Sequence, residues 1–347
     1  MIRRSFLIFA FVLTLVTHIT LFSSHVLLLV NGALGDRSFF DSAAEGIRIL
    51  NSEMDHQTTI IEMGYNPADW EPVFLEVSAS GRYDVITVGG WPFVEILQRH
   101  APSYPHISFI LFDTAFPRDN ARFENVQSFR FHQNEGAFLV GYLASMITLS
   151  EGISGVIPDQ KKIGFLGGLE TPEVLDFLVG YQEGAKHFSK DVEILVAFAG
   201  SFKDPVKGKE IARSLYHQNV DVIFAVAGET GIGVFEAAKE TNRLAIGVDS
   251  DIQLLFESKD PEIVACVVTS LLKRIDLGII DAVKTISQTD QVFGIDRSYG
   301  IFDGMIGLSD NRYFEAFLNQ HPWIPANLLM VTEQILLNEI VIPTAIP

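Results

Sequence analysis

The chain has 347 residues, with 25 Lys plus Arg against 43 Asp plus Glu and a formal net charge of -18. Hydrophobic residues make up 48% and charged residues 20%, which excludes a disordered or fibrous chain and supplies enough apolar mass for about two domains. The acid excess argues against a nucleic-acid partner, whose phosphates need a basic face, and the lone Cys266 excludes an internal disulfide framework.

Residues 1–24 carry Arg3 and Arg4 ahead of the nearly uncharged apolar run Ser5–Leu21. That is the pattern of a secretory signal peptide or an N-terminal membrane anchor, and it implies export. No cysteine follows the run to accept a lipid, and no second run is long enough to span a bilayer.

From His25 short apolar runs alternate with helical patterns. HVLLLVNG (25–32), TTIIEM (58–63), DVITVGG (84–90), HISFILFD (106–113) and QSFRF (127–131) read as strands, with helices over 39–50, 69–80 and 91–101. A long helix over 134–150 and a loop over 151–160 follow. The alternation then restarts with strands at 161–168, 192–198, 221–228 and 243–251, separated by helices over 172–189, 205–218 and 231–241. Next come a strand over 263–269, a helix from Ser270 to about Ser287, a strand around Val292, a turn-rich stretch and two terminal helices. Strands that are apolar along most of their length belong to parallel sheets covered on both faces. The predicted fold is therefore α/β, with two Rossmann-like lobes joined by a hinge. The expected division is 25–131 plus 252–290 for the first lobe and 132–251 plus 291–347 for the second.

In such sheets ligands bind beyond the carboxyl ends of the strands. The first strand is followed by Asp36, Ser38, Phe39 and Phe40, the third by Gly89, Gly90 and Trp91, and the fourth by Asp113. In the second lobe the strand ends offer Ser201, Phe202 and Asp204, then Gly228, then Asp249, with Lys273 after the strand that follows. Phe39, Trp91 and Phe202 are aromatics beside Gly or Ser at strand ends of both lobes, placed to stack on a flat ligand unless each packs beneath its own loop. A carboxylate such as Asp249 suits a vicinal diol, with Lys273 to orient it; helix capping is the competing role for Asp36, Asp113 and Asp249.

Motifs for covalent or metal chemistry are missing. There is no H-E-x-x-H, C-x-x-C or G-x-S-x-G, the histidines are scattered, and GETGIG (228–233) is neither a dinucleotide fingerprint nor a Walker loop. Cys266 lies in an apolar run and reads as an inert buried thiol. A cleft rich in rings and polar groups but without a nucleophile, acid–base pair or metal set points to binding rather than catalysis.

The stretches GDRSFFDSAAEG (35–46), HQNEGAFLVGYLA (132–144), KIGFLGGLETPEV (162–174), GYQEGAK (180–186), the run 200–240, IGVDSD (246–251) and TSLLKRID (269–276) resemble the PnrA/BMP group of substrate-binding proteins of ABC importers. The resemblance implies a periplasmic-binding-protein type I fold, a membrane permease as partner, a monomer, no enzymatic activity, no cofactor and a place in the periplasm or on the outer side of the cytoplasmic membrane. Characterised members bind purine nucleosides between two aromatics. By motif, Phe39 and Phe202 match the stacking rings, and Asp36, Asp113, Gly228, Asp249 and Lys273 match polar contacts. The family's usual D-x-S-F-N reads Asp36-Arg37-Ser38-Phe39-Phe40 here, so Phe40 replaces a base-reading amide. Trp91 stands where a smaller aromatic is more usual. Less amide and more ring area favour a larger planar ligand, and riboflavin, transported rather than held as a cofactor, is the expectation; the group includes a similar riboflavin-binding component. A purine nucleoside is the alternative ligand, and a nucleoside hydrolase or phosphorylase the alternative of another class.

Overall fold

The computed structural model describes residues 23–117, 123–157, 159–288 and 294–346. Two expectations, the leader over 1–22 and the strand around Val292, lie outside the described residues. No helix among the described residues is long and apolar enough to cross a membrane.

The first sheet is built from β1 (His25–Val30), β2 (Gln57–Glu62), β3 (Val85–Gly89), β4 (Ser108–Phe112), β5 (Val126–Phe131) and β11 (Asp296–Tyr299), in the order β11-β5-β4-β3-β1-β2 and all parallel. The second holds β6 (Lys162–Gly167), β7 (Glu193–Phe198), β8 (Val222–Val226), β9 (Leu244–Asp249), β10 (Val267–Lys273) and the antiparallel edge strand β12 (Ile306–Leu308), in the order β12-β10-β9-β8-β6-β7. The order β2-β1-β3-β4-β5 thus recurs as β7-β6-β8-β9-β10, so each strand end in one lobe has a counterpart in the other.

Burial on both faces explains the uninterrupted apolar strands. In β1, Val26, Leu28 and Val30 face α1 (Phe39–Glu53) and α10 (Ile275–Gln288), while Leu27 and Leu29 face α2 (Pro67–Ala79) and α3 (Pro92–His100). In the second lobe Ile163 and Phe165 face α4 (Gln133–Thr148) and α5 (Pro172–Phe188). Leu166, Ile223 and Ala225 face the opposite layer, which includes α6 (Pro205–His217) and α7 (Thr230–Thr241).

Strand pairing divides the region after 251 differently from the expected boundaries. Asp251 caps α8 (Ile252–Phe256), and Asp260 with Pro261 starts α9 (Pro261–Cys266), so the expected strand over 263–269 begins only at Val267. Leu271–Lys273 pair with β12, and Ser270–Leu272 with β9, which keeps this segment a strand of the second sheet where a helix from Ser270 was expected. α10 then packs on α1, and β11 pairs with β5, both in the first lobe. Among the described residues the chain therefore crosses between lobes three times, at 131–133, 273–275 and 299–306. The crossings are tied together: His132 N–H donates to Tyr299 O, Arg274 N–H to Met305 O, and Ile301 N–H to Glu135 Oε2.

The second lobe depends on a close contact of α4 with α5. A Cβ on Gly184 would lie 1.9 Å from Phe138 O, one on Gly141 1.9 Å from Tyr181 O, and one on Gly180 2.2 Å from Asn134 O. Only glycine lets these backbones approach so closely, and Ser145 Oγ adds a buried bond to Ala185 O. Gly184→Ala should lower the unfolding free energy by about 1–3 kcal/mol in urea titration. Gly307→Ala, which meets nothing within 4 Å, should change it little.

Candidate ligand-binding site

The carboxyl ends of both sheets face one cavity of about 460 Å³. Asp36, Ser38, Phe39, Phe40, Trp91, Asp113, Phe202, Gly228, Asp249 and Lys273 lie on its wall, as expected from the sequence, whereas Asp204, also offered at a strand end, instead caps α6 by accepting from Lys207 N–H. Their strand ends are alike in backbone as well as in position. Asp113, just after β4, and Asp249, at the end of β9, both have φ of 63°. Gly90, after β3, and Gly228, after β8, have φ of 78° and 56°. Aspartate is among the few side chains that tolerate this left-handed turn, which swings each carboxylate off its sheet toward the cleft.

Lys273 anchors the floor. It is the last residue of β10, in the second sheet, and only 3% exposed. Its Nζ donates to Asp113 Oδ1 at 2.9 Å and Oδ2 at 3.0 Å, and lies 4.0 Å from Asp249 Oδ1. The rings of Phe39, Phe177 and Phe131 surround the ammonium at 5.3, 5.4 and 5.8 Å. Burial alone would pull the Lys273 ammonium down, but the carboxylates of Asp113 and Asp249 outweigh it and hold the group above its ordinary range. Burial pushes the Asp113 carboxyl up to about 6 against the opposing pull of Lys273. The pair is thus charged at neutral pH, and it joins the two lobes.

A second bond between lobes involves Ser38, whose Oγ donates to Asp249 Oδ2. The other oxygen, Asp249 Oδ1, is buried without a hydrogen-bond partner. Two further contacts cross the cleft: Lys203 Nζ lies 4.1 Å from the Tyr65 ring centre, and the Arg37 guanidinium 4.6 Å from that of Phe256.

The capping role describes Asp36. Its Oδ1 accepts N–H bonds from Ser38 and Asp41, and its Oδ2 accepts one from Phe40, which fixes the start of α1. Burial nonetheless pushes this carboxyl up to about 6. Asp36 therefore shapes the loop that presents Ser38, Phe39 and Phe40.

The rings come from both lobes. Phe39 packs on Phe112 at 5.4 Å and edge-on against Phe40 at 5.1 Å. Phe202, 37% exposed, leans over Gly168, where a Cβ would lie 2.2 Å from its ring. Trp91, 59% exposed, stands at the start of α3. The sequence reading missed Asn31, Tyr65, Trp70, Glu173 and Phe177 on the same wall. Asn31 directly follows β1 and so obeyed the strand-end rule; Glu173 and Phe177 follow the LETP loop on successive turns of α5. Cys266 is buried and burial pushes its thiol up to about 12, as an inert core residue requires. No group of three or more His, Cys, Asp or Glu able to hold a metal occurs among the described residues.

The family described as ABC transporter substrate-binding protein PnrA-like (Bmp) matches residues 23–343. The chain is 29% identical to Basic membrane protein A1 of Borrelia garinii subsp. bavariensis over 289 residues, 82% of this chain and 80% of that protein. It is 31% identical to Basic membrane protein B of Borreliella burgdorferi over 307 residues, 83% of this chain and 81% of that one. A solute-binding protein of an ABC transporter system from Aeropyrum pernix K1 superposes with a TM-score of 0.75 at 29% identity, covering 92% of this chain and 94% of that one.

Lys273→Met should leave Asp113 buried without its cation and cost about 3–5 kcal/mol near pH 8. A raised carboxyl pKa means that the folded state holds its proton more tightly than the unfolded state does, so the stability it contributes is present at low pH and lost as pH rises, through about 6 in the parent and higher in the variant, where the downward pull of Lys273 is gone. Urea titrations at pH 8 and pH 5 should therefore show the variant recovering stability at the lower pH, with a steeper dependence than the parent.

Proposed function

Because the chain belongs to the PnrA-like (Bmp) family of ABC transporter substrate-binding proteins, we propose that it captures riboflavin outside the cytoplasmic membrane and delivers it to the permease of an ABC importer. The observation that carries this reading is the set of rings that both lobes bring to one cavity, Phe39, Phe40 and Trp91 from the first and Phe202 from the second, beside the Asp113–Lys273–Asp249 cluster. A planar guest between these rings covers apolar surface on both faces, at about 1–3 kcal/mol per stacked ring system. The cavity volume falls within the range of about 300–1,000 Å³ usual for small-molecule sites.

The polar groups favour a neutral guest rich in donors. Asp249 Oδ1 has no hydrogen-bond partner, and a hydroxyl of a ribityl chain would supply one. The charged residues on the wall are Asp36, Asp113, Glu173, Glu229 and Asp249 against Lys203 and Lys273, and Lys273 is engaged by Asp113. A phosphate would meet repulsion there, so the free vitamin suits the site better than its phosphorylated form. Phe40, in place of the amide that a purine edge pairs with, supports the flavin over a nucleoside. The leader supports export, and the closed outline of two lobes around cargo is what a permease would recognise in a monomeric carrier.

Titration of riboflavin with the purified protein should quench flavin fluorescence saturably at close to one-to-one stoichiometry. Phe202→Ala should weaken binding by about tenfold to a hundredfold, and Trp91→Ala, at the more exposed position, by less. Tight inosine or guanosine binding without flavin quenching would assign the site to nucleosides, and turnover of inosine would assign it to a hydrolase or phosphorylase.

A further inference from the structure

Asn31 sits on the cavity wall immediately after β1, and its side-chain Oδ1 is buried without a hydrogen-bond partner. A buried acceptor left unpaired costs about 1–3 kcal/mol, so such atoms are rare in interiors and call for an explanation. The backbone around this residue is already committed: Met63 N–H donates to Val30 O, and Gly64 N–H to Gly32 O. These bonds fix the turn from which the Asn31 side chain leaves, while its amide is left for something else. Aromatic rings adjoin the same turn. A Cβ on Gly32 would lie 2.7 Å from the Phe40 ring and 3.2 Å from the Tyr65 ring, so Gly32 lets both rings close in beside Asn31.

A carboxamide presents an acceptor and a donor side by side. That pair matches a ring edge on which N–H and C=O are neighbours, as in the imide of a flavin or the lactam of a hypoxanthine. We propose that Asn31, just after β1, supplies this pair and reads the N–H/C=O edge of the bound ring, with Oδ1 accepting from the ring N–H. This rests on the reading of the cavity as a ring-binding site. It assigns to Asn31 the choice among planar ligands, whereas the Asp113–Lys273–Asp249 cluster serves the hydroxylated part.

The full chain and its Asn31→Ala variant would be titrated with riboflavin and with riboflavin methylated at the imide nitrogen, and in parallel with inosine and 1-methylinosine. The parent should bind the unmethylated member of its preferred pair about tenfold or more tightly than the methylated one. Asn31→Ala should lose a similar factor for the unmethylated ligand and lose the discrimination. Its thermal midpoint without ligand should equal or exceed that of the parent, because an unpaired acceptor has been removed, which separates lost recognition from lost folding. Asn31→Ala binding within twofold of the parent overturns the inference. So does discrimination that survives in the variant, or weakened binding in the variant with no discrimination in the parent. Discrimination within the inosine pair and no flavin binding would refute the riboflavin reading while sustaining the role of Asn31; binding of neither pair would refute both.

Discussion

A buried ammonium shared between lobes governs the site. Lys273 arrives from the second sheet and is neutralised by Asp113 from the first. Neither charge is tolerable in that interior without the other, so the pair fixes the lobes' approach as firmly as it fixes the floor of the cleft. The chain begins its crossing to the first lobe at the next residue, Arg274, which places the pair beside the pivot. With Lys273 held by Asp113, Asp249 divides its two oxygens: one takes the hydroxyl of Ser38, and the other has no hydrogen-bond partner.

The doubled architecture explains why these groups meet. Each lobe repeats one strand order, and each ends its equivalent strands with the same left-handed turn, Asp113 against Asp249 and Gly90 against Gly228. Two sheets with carboxyl ends turned toward each other bring together residues more than a hundred positions apart. The lobes then differ in what they add. The first brings Phe39, Phe40 and Trp91, and the second brings Phe202 and the cation.

Most of the sheet-forming pattern was legible because strands covered on both faces read as continuous apolar runs bounded by turn residues. The strand-end residues other than Asp204 reached the cavity wall for the same reason: a parallel sheet delivers its strand ends to one edge, and that edge is visible in the sequence. The region after 251 was obscure because its local signals conflict. Pro261 behind Asp260 starts a helical turn inside an apolar run, and β10 owes its extended form to β9 and β12, which lie far away in sequence. The strands β11 and β12 have four and three residues, too few for a period to show. At Asp36 the composition fitted both a ligand contact and a helix cap, and only the three N–H bonds it accepts distinguish them. Asn31 was overlooked because a lone amide in an Asn-Gly pair resembles ordinary turn chemistry.

The contacts that tie lobe to lobe through the protein's own side chains bear on transport economy. Ser38 with Asp249, Lys203 with Tyr65 and Arg37 with Phe256 favour the shut jaw regardless of what it holds. A guest biases the jaw only by its preference for one posture over the other, so every such contact narrows the gap between loaded and unloaded carriers. For a pump that fires on the shut posture, those contacts set the rate of idling without cargo. They also slow the escape of a guest once it is enclosed, and so trade fidelity of signalling against retention.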